Sequence, residues 1–428
     1  MPALLGCIAD DLTGGTDLSG ILVNNGMRTV QMIGLPEGPW PANADAVVVA
    51  LKSRTIPVDD AVTESLAALR WLQAAGCLQY YFKYCSTFDS TPRGNIGPVA
   101  EALMDALGTE FTIACSAFPA TRRTIYQGYL FVNGVLLNES GMQHHPLTPM
   151  ADANLVRVLQ QQTRRKVGLV DYAAVSNGSV AVTEQFARLR REECGLAIVD
   201  AISDTDLAEI GTAAAHLKLV TGGSGLAQGL PQNFRRRGLL KASTVANETS
   251  VPRGFKAVIA GSCSTATQNQ VDVMRARHPA FRVDPLALAD GHDVVGAAGE
   301  WAAARVRAEP VLIYATATPE EVQATQATLG VEQSAALVER ALAAIAEKLV
   351  TLGVGQLIVA GGETSGAVLH ALGVKSLTIG NEIDPGVPWT TTMLETPNRQ
   401  PLALALKSGN FGSPDFFLKA WAKLVPTS

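Results

Sequence analysis

Short, unbroken apolar runs alternate along this chain with stretches whose apolar residues recur at helical spacing. Leu4–Ala9 is the first run, and Asp17–Asn25 is the helical stretch after it. Ala46–Leu51 is nearly all Val and Ala, the composition of a strand buried on both faces. Val58–Ala75 reads as a helix with Leu66, Leu69 and Leu72 among its apolar positions. Tyr80–Cys85 reads as a strand, Val99–Leu107 as a helix and Phe111–Ala117 as a strand. This βαβ rhythm predicts a parallel sheet. Asn133-Gly134, between Tyr129–Val132 and Val135–Asn138, interrupts it. Both positions of such a turn need positive φ, so a β-hairpin is predicted there. The rhythm resumes with strands at Val167–Val170, Leu196–Asp200 and Leu217–Thr221.

Lys241–Gly254 (KASTVANETSVPRG) has little periodicity and many Ser, Thr, Asn, Pro and Gly residues, which predicts a linker. Strands then follow at Ala257–Ala260, Val311–Ala315, Gln356–Ala360, Ser376–Ile379 and Leu402–Lys407. Helices fall at Thr267–Arg277, Ser334–Leu352, Ser365–Leu372 and Asp415–Leu424. The expected architecture is two α/β domains, 1–240 and 255–428, with largely parallel sheets facing across an active-site cleft.

Composition narrows the function classes. The chain has 428 residues, 47% hydrophobic and 17% charged, which is enough to build large cores and excludes disorder. Net charge is −5, so a general nucleic-acid or anionic-membrane surface is not expected, while a local basic pocket for an acidic metabolite is. Cys7, Cys77, Cys85, Cys115, Cys194 and Cys263 form no CxxC pair and sit mostly in apolar runs. They read as small hydrophobes in a reducing compartment. Met1-Pro2-Ala3-Leu4-Leu5-Gly6 lacks a basic segment and soon meets Asp10 and Asp11. A signal peptide is therefore not expected, and no apolar run reaches the length of a membrane span. The expected location is the cytoplasm.

In open α/β sheets ligands lie beyond the carboxyl ends of the strands, so the residues after each apolar run carry the candidate chemistry. Three segments in the second half resemble one another: Gly261-Ser262-Cys263-Ser264-Thr265, Gly361-Gly362-Glu363-Thr364-Ser365-Gly366 and Lys407-Ser408-Gly409-Asn410-Phe411-Gly412. Small residues let backbone approach a bulky anion, and a helix N-terminus offers free N–H groups. The alternative is ordinary strand–helix turns, which favour the same residues. Walker A and GxSxG are absent, and Gly222-Gly223-Ser224-Gly225 is a weak dinucleotide match. These absences count against a P-loop protein, a serine hydrolase and the usual Rossmann dehydrogenase.

The first half has charged strand-end loops instead. Asp10-Asp11-Leu12-Thr13-Gly14 follows the first strand. Paired acids can bind hydroxyls, hold Mg²⁺ or accept a proton; capping of the next helix explains one acid but not both. Lys83 lies in an apolar run, where an unpaired charge is costly. Asp89, Ser90, Arg93 and Asn95 follow it in one polar loop, although Asp89 and Arg93 suit a structural ion pair equally. Arg122 and Arg123, in SAFPATRRT, suit a carboxylate or a solvated surface. His144-His145 has no metal-ligand spacing partner and reads as a structural or substrate-adjacent loop.

IADDLTG (8–14), KYCSTFDSTPRGNIG (83–97), FPATRRT (118–124), HPLTPM (145–150) and EIDPGVPW (382–389) resemble the four-carbon acid sugar kinase family, nearest to its branch acting on 3-oxo-tetronates. The resemblance spans essentially the whole chain. It implies an N-terminal acid-sugar-binding domain and a C-terminal nucleotide-binding domain. ATP with Mg²⁺ would phosphorylate the C4 hydroxyl of a four-carbon sugar acid, with D-threonate, L-threonate and D-erythronate as alternatives within the family. Residue chemistry and resemblance together put Lys83, Asp89, Ser90, Arg93, Asn95 and Arg122 on the substrate side, with Asp10 or Asp11 as the catalytic acid residue. Ser262, Ser264, Gly361, Gly362, Glu363, Thr364 and Gly409 go to ATP, with the metal ligands unassigned. A homo-oligomer is compatible with this reading. The competing classes are a non-catalytic sugar-acid binder and a nicotinamide-linked oxidoreductase.

Overall fold

The computed structural model describes residues 3–88, 91–144, 148–241, 251–395 and 400–424. The chain divides into two compact units, Met1–Ala246 and Asn247–Ser428.

In the first unit the strands are β1 (Leu5–Ala9), β2 (Thr29–Ile33), β3 (Ala46–Ala50), β4 (Gln79–Lys83), β5 (Thr112–Cys115), β6 (Arg123–Tyr126), β7 (Tyr129–Val132), β8 (Val135–Leu136), β9 (Lys166–Val170), β10 (Cys194–Val199) and β11 (Leu219–Gly222). The main sheet runs β2-β3-β1-β4-β11-β5-β10-β9. Every pairing in it is parallel. All residues of β1, β3 and β4 are buried, which explains their unbroken apolar sequences. Helices on the connections, among them 12–24, 58–74 and 96–107, cover the sheet and close its core. β6, β7 and β8 form a separate antiparallel sheet. The turn predicted between β7 and β8 forms there, with φ 55° at Asn133 and 89° at Gly134.

In the second unit the strands are β12 (Phe255–Ala260), β13 (Ala280–Arg282), β14 (Val311–Tyr314), β15 (Val354–Ala360), β16 (Ser376–Asp384), β17 (Val387–Met393) and β18 (Pro401–Lys407). They are ordered β13-β14-β12-β15-β18-β17-β16. The pairings are parallel from β13 to β18 and antiparallel from β18 through β17 to β16. The α/β class therefore holds for both units, and the second sheet is mixed. The antiparallel β16–β17 ribbon carries the EIDPGVPW segment, and Glu382 Oε1 accepts from Gly386 N at 2.9 Å in its turn.

Two expectations resolve into packing. The Gly222–Gly225 segment is a close backbone crossing, not a dinucleotide loop. A Cβ on Gly222 would lie 2.3 Å from the Cys115 carbonyl oxygen. All six cysteines are free, four of them buried and Cys85 and Cys263 half-buried. Among the described residues no helix is long and apolar enough to cross a membrane.

Candidate functional site

Parallel register brings the charged loops of the first unit together. Ala9 pairs with Ala50 on one side and with Lys83 on the other. The residues leaving β1, β3 and β4 therefore share one sheet edge. Asp10 N donates to Lys83 O at 3.1 Å, and Ser53 N and Arg54 N both donate to Asp10 O. Arg54 grips Asp10 with two bonds, Nε to Oδ2 at 2.9 Å and Nη2 to Oδ1 at 2.7 Å. The same Nη2 reaches Asp11 Oδ1 at 2.6 Å, and Lys83 Nζ donates to that oxygen at 3.1 Å. Two acids and two cations thus form one compact, nearly neutral cluster. This answers the desolvation cost of a buried Lys83.

The two acids differ. Asp11 caps helix 12–24, accepting at Oδ2 from Gly14 N (3.1 Å) and Thr13 Oγ1 (2.9 Å). Burial alone would raise its pKa, but Arg54, Lys83 and these donors hold it far below the usual carboxylate range. Asp10 keeps a raised pKa, because its burial outweighs the pull of Arg54. Burial, the largest influence, would lower the Lys83 ammonium, but the fields of Asp11 and Asp10 together more than offset it, and its pKa is raised. Gly14 is required by this geometry, since a Cβ there would lie 1.6 Å from Lys83 Nζ and 2.1 Å from Asp11 Oδ1.

Beside the cluster, Asp10 and Arg54 face a pocket walled by Phe82, Cys85, Asn95 and Val99. The Asn95 amide donates to the carbonyls of Ser53 (2.8 Å), Arg54 (3.2 Å) and Ile56 (3.0 Å). Asn95 therefore fixes the loop that carries Arg54. Arg93 and Arg122 are exposed, and neither guanidinium makes a polar contact among the described residues. Asp89, Ser90, His145 and Pro146 lie outside the described residues.

In the second unit the same logic gathers the three small-residue loops. Ala260 pairs with Ala360, and Ala360 with Lys407, so β12, β15 and β18 end side by side. Gly261 N and Ser262 N donate to Ala360 O, and Gly361 N donates to Lys407 O at 2.8 Å. Ser264 caps helix 265–275, and its Oγ donates to Gly409 O at 2.6 Å. Thr267 Oγ1 donates to the same carbonyl at 2.9 Å. Gly409 approaches Ser262 so closely that a Cβ would sit 2.4 Å from its Oγ. Gly361 N-caps the helix Gly362–Ala371, and Glu363 lies in its first turn. A cavity of about 630 Å³ opens from this edge, walled by Gly261, Cys263, Glu363 and Thr364 and by the apolar Val283, Leu286, Val322 and Val338. Its size and mixed lining fit a small-molecule ligand. All seven residues expected on the nucleotide side are at or beside this junction.

Sequence reasoning missed Arg54 and Thr267, and it placed Lys407 in a candidate loop without giving its side chain a role. Arg54 sits four residues beyond β3, where the strand-end rule applied to the other loops would have found it. Lys407 ends an apolar run, the same signal that singled out Lys83.

No group of His, Cys, Asp and Glu among the described residues is arranged to hold a metal ion.

Residues 5–230 match a family model described as a sugar-binding N-terminal domain, and residues 257–417 one described as a nucleotide-binding C-terminal domain. A Burkholderia multivorans protein named 3-oxo-tetronate kinase is 61% identical over 97% of this chain and 96% of its own. A Cupriavidus necator protein of the same name is 58% identical over 98% of this chain and 97% of its own. A solved Salmonella typhimurium LT2 structure, provisionally described as a tRNA synthase, superposes with a TM-score of 0.86 at 41% identity, covering 98% of both chains. With both domain models matched in order and relatives this similar over nearly the full length, the chain belongs to the four-carbon acid sugar kinase family.

Proposed function

We propose that the chain transfers the γ-phosphoryl group of ATP to the C4 hydroxyl of a 3-oxo-tetronate, giving the 4-phosphate in sugar-acid catabolism. The observation that carries this reading is the pair of chemically opposite strand-end sites. One is charged and bears two acids; the other is built from hydroxyls, glycines and helix N-termini. A sugar acid and a triphosphate need these two chemistries respectively. The names of the relatives supply the substrate.

Asp10 is the residue suited to take the C4 hydroxyl proton, because its raised pKa makes it the better base of the pair. Asp11 already accepts four donors and serves to hold Arg54 and Lys83. In the step, the C4 oxygen bonds to the γ-phosphorus, the bond from that phosphorus to the β–γ bridging oxygen breaks, and the proton passes to Asp10. Arg93 and Arg122, exposed and without a guanidinium partner among the described residues, are suited to the substrate carboxylate. Ser262, Ser264, Thr364 and the glycines at 361, 362 and 409 cradle the phosphates. Mg²⁺ neutralises phosphate charge when bound, and it enters with the nucleotide. Six free thiols suit a reducing compartment such as the cytoplasm. A tRNA-directed activity fits poorly with a net charge of −5.

The test is ADP release by the full chain with Mg-ATP and a panel of 3-oxo-tetronates, D-threonate, L-threonate and D-erythronate. The reading requires ADP only with a 3-oxo-tetronate, and a 4-phosphate product by mass spectrometry. Turnover of threonate or erythronate alone would move the chain to another branch of the family. Tetronate binding without ADP would make it a binder, and a nicotinamide absorbance change without ADP would make it an oxidoreductase.

A further inference from the structure

Lys407 ends β18, and nothing in the chemistry above uses its side chain. It is fully buried, at 0% exposure. Its Nζ lies 3.0 Å from Thr267 Oγ1, 2.9 Å from Ser408 O and 3.0 Å from Gly409 O. It has no carboxylate partner among the described residues. Lys83 resolves its burial with Asp11; Lys407 does not, and burial alone lowers its pKa to about 7. The charged groups on neighbouring elements are Asp272 and Arg275 on helix 265–275, Glu363 and His370 on helix 362–371, and Asp415 and Lys419 at the last helix. None of them contributes to that shift.

The two protonation states make different hydrogen bonds. An ammonium donates to all three oxygens, and the Thr267 hydroxyl is then free to donate to Gly409 O. With Ser264 Oγ, Gly409 O collects three donors. A neutral amine has only two N–H groups and a lone pair. The Thr267 hydroxyl can turn to that lone pair, and Gly409 O then loses a donor. The state of Lys407 therefore sets how tightly the loop after β18 is held against Ser264 and the start of helix 265–275.

We propose that the Lys407 ammonium is the buried positioning charge of the nucleotide loops, fixing the Gly409–Ser264 junction, and that it gains its proton as the phosphates bind. The inference rests on the nucleotide reading of this site. Phosphates seated on the front of the junction place negative charge near a poorly solvated amine. This raises its pKa by about one unit or more, and nucleotide binding then takes up a proton near neutral pH.

The test is calorimetric titration of the full chain with Mg-ADP, which is not turned over, in buffers of low and high ionisation enthalpy between about pH 6.5 and 9, a range that runs from just below the free lysine's value to above the raised one. The expected result is a buffer-dependent heat corresponding to about half a proton or more taken up near pH 7.5. Affinity should fall by up to about tenfold per pH unit through that window. Lys407→Met should bind with buffer-independent heats and a flat pH dependence. Thr267→Val, which removes one acceptor from the ammonium, should move the uptake to lower pH, and it decides the matter if Lys407→Met does not fold. Buffer-independent heats in the wild type, or unchanged uptake in the variants, would overturn the inference and leave the nucleotide reading standing. No heat with Mg-ADP at any pH would overturn the nucleotide reading and this inference with it.

Discussion

Two neighbouring carboxylates, Asp10 and Asp11, are driven apart by their surroundings, and their roles follow from that separation. Asp11 is fixed as an anion by Arg54, Lys83 and the cap of helix 12–24. Asp10 is buried enough to bind a proton more readily than a solvent-exposed acid. Asp10→Asn should therefore lower kcat by about 10²- to 10⁴-fold while leaving Mg-ATP affinity unchanged, as read from initial rates beside nucleotide binding. Arg54→Ala should destabilise the fold by about 3 kcal/mol at neutral pH, because it leaves two adjacent acids with Lys83 as their remaining cation. The sign of its pH dependence is determined. Without Arg54 the Asp10 carboxyl rises further above its unfolded value, so the variant regains stability as pH falls toward that value. Urea denaturation at pH 7 and pH 5 should show the deficit shrinking at pH 5; a deficit that grows would contradict the cluster. The acids and Lys83 were legible because charge beside an apolar run is conspicuous. Arg54 stands at the same kind of strand end, but its pairing with Asp10 was not legible, because it depends on strand register.

At the scale of elements, the helix caps and tight loops do the positioning. Gly409→Ala would drive a methyl group into Ser262 Oγ, and the loop after β18 must move away from Ser264. The expected outcome is a KM for Mg-ATP raised about tenfold or more, with the KM for the tetronate unchanged. Steady-state kinetics with each substrate varied in turn checks this, and a rise confined to the tetronate would contradict it. Strands buried on both faces, such as β1 and β3, were legible as unbroken apolar runs. β2 was not, because its burial alternates along Thr29–Ile33. β17 was not, because Pro388 and three consecutive threonines mask it. The helix over 12–24 starts well before Asp17, since Thr13, Gly14 and Gly15 carry no apolar periodicity and the start is set by the Asp11 cap.

At the scale of the whole molecule, the two units repeat one structural device, and the proposed function gives each a different ligand. In each, parallel register lines up strand ends, and the residues just beyond them form the site. The first unit fills that edge with paired charges and the second with hydroxyls and close backbone. The contrast between the two sets of loops was legible from their composition before any coordinates, because the loops differ in chemistry even where the strands do not. The first half of β16 was legible at Ser376–Ile379, but its antiparallel pairing with β17, which makes the second sheet mixed, was not.

Hydrogen exchange on the full chain, with Mg-ADP and a tetronate added separately, tests this division most directly. Mg-ADP should protect 260–267, 361–366 and 407–412, and the tetronate should protect 10–16, 51–56 and 83–88. Protection of the first unit's loops by Mg-ADP, with the second unit's loops left unchanged, would contradict it.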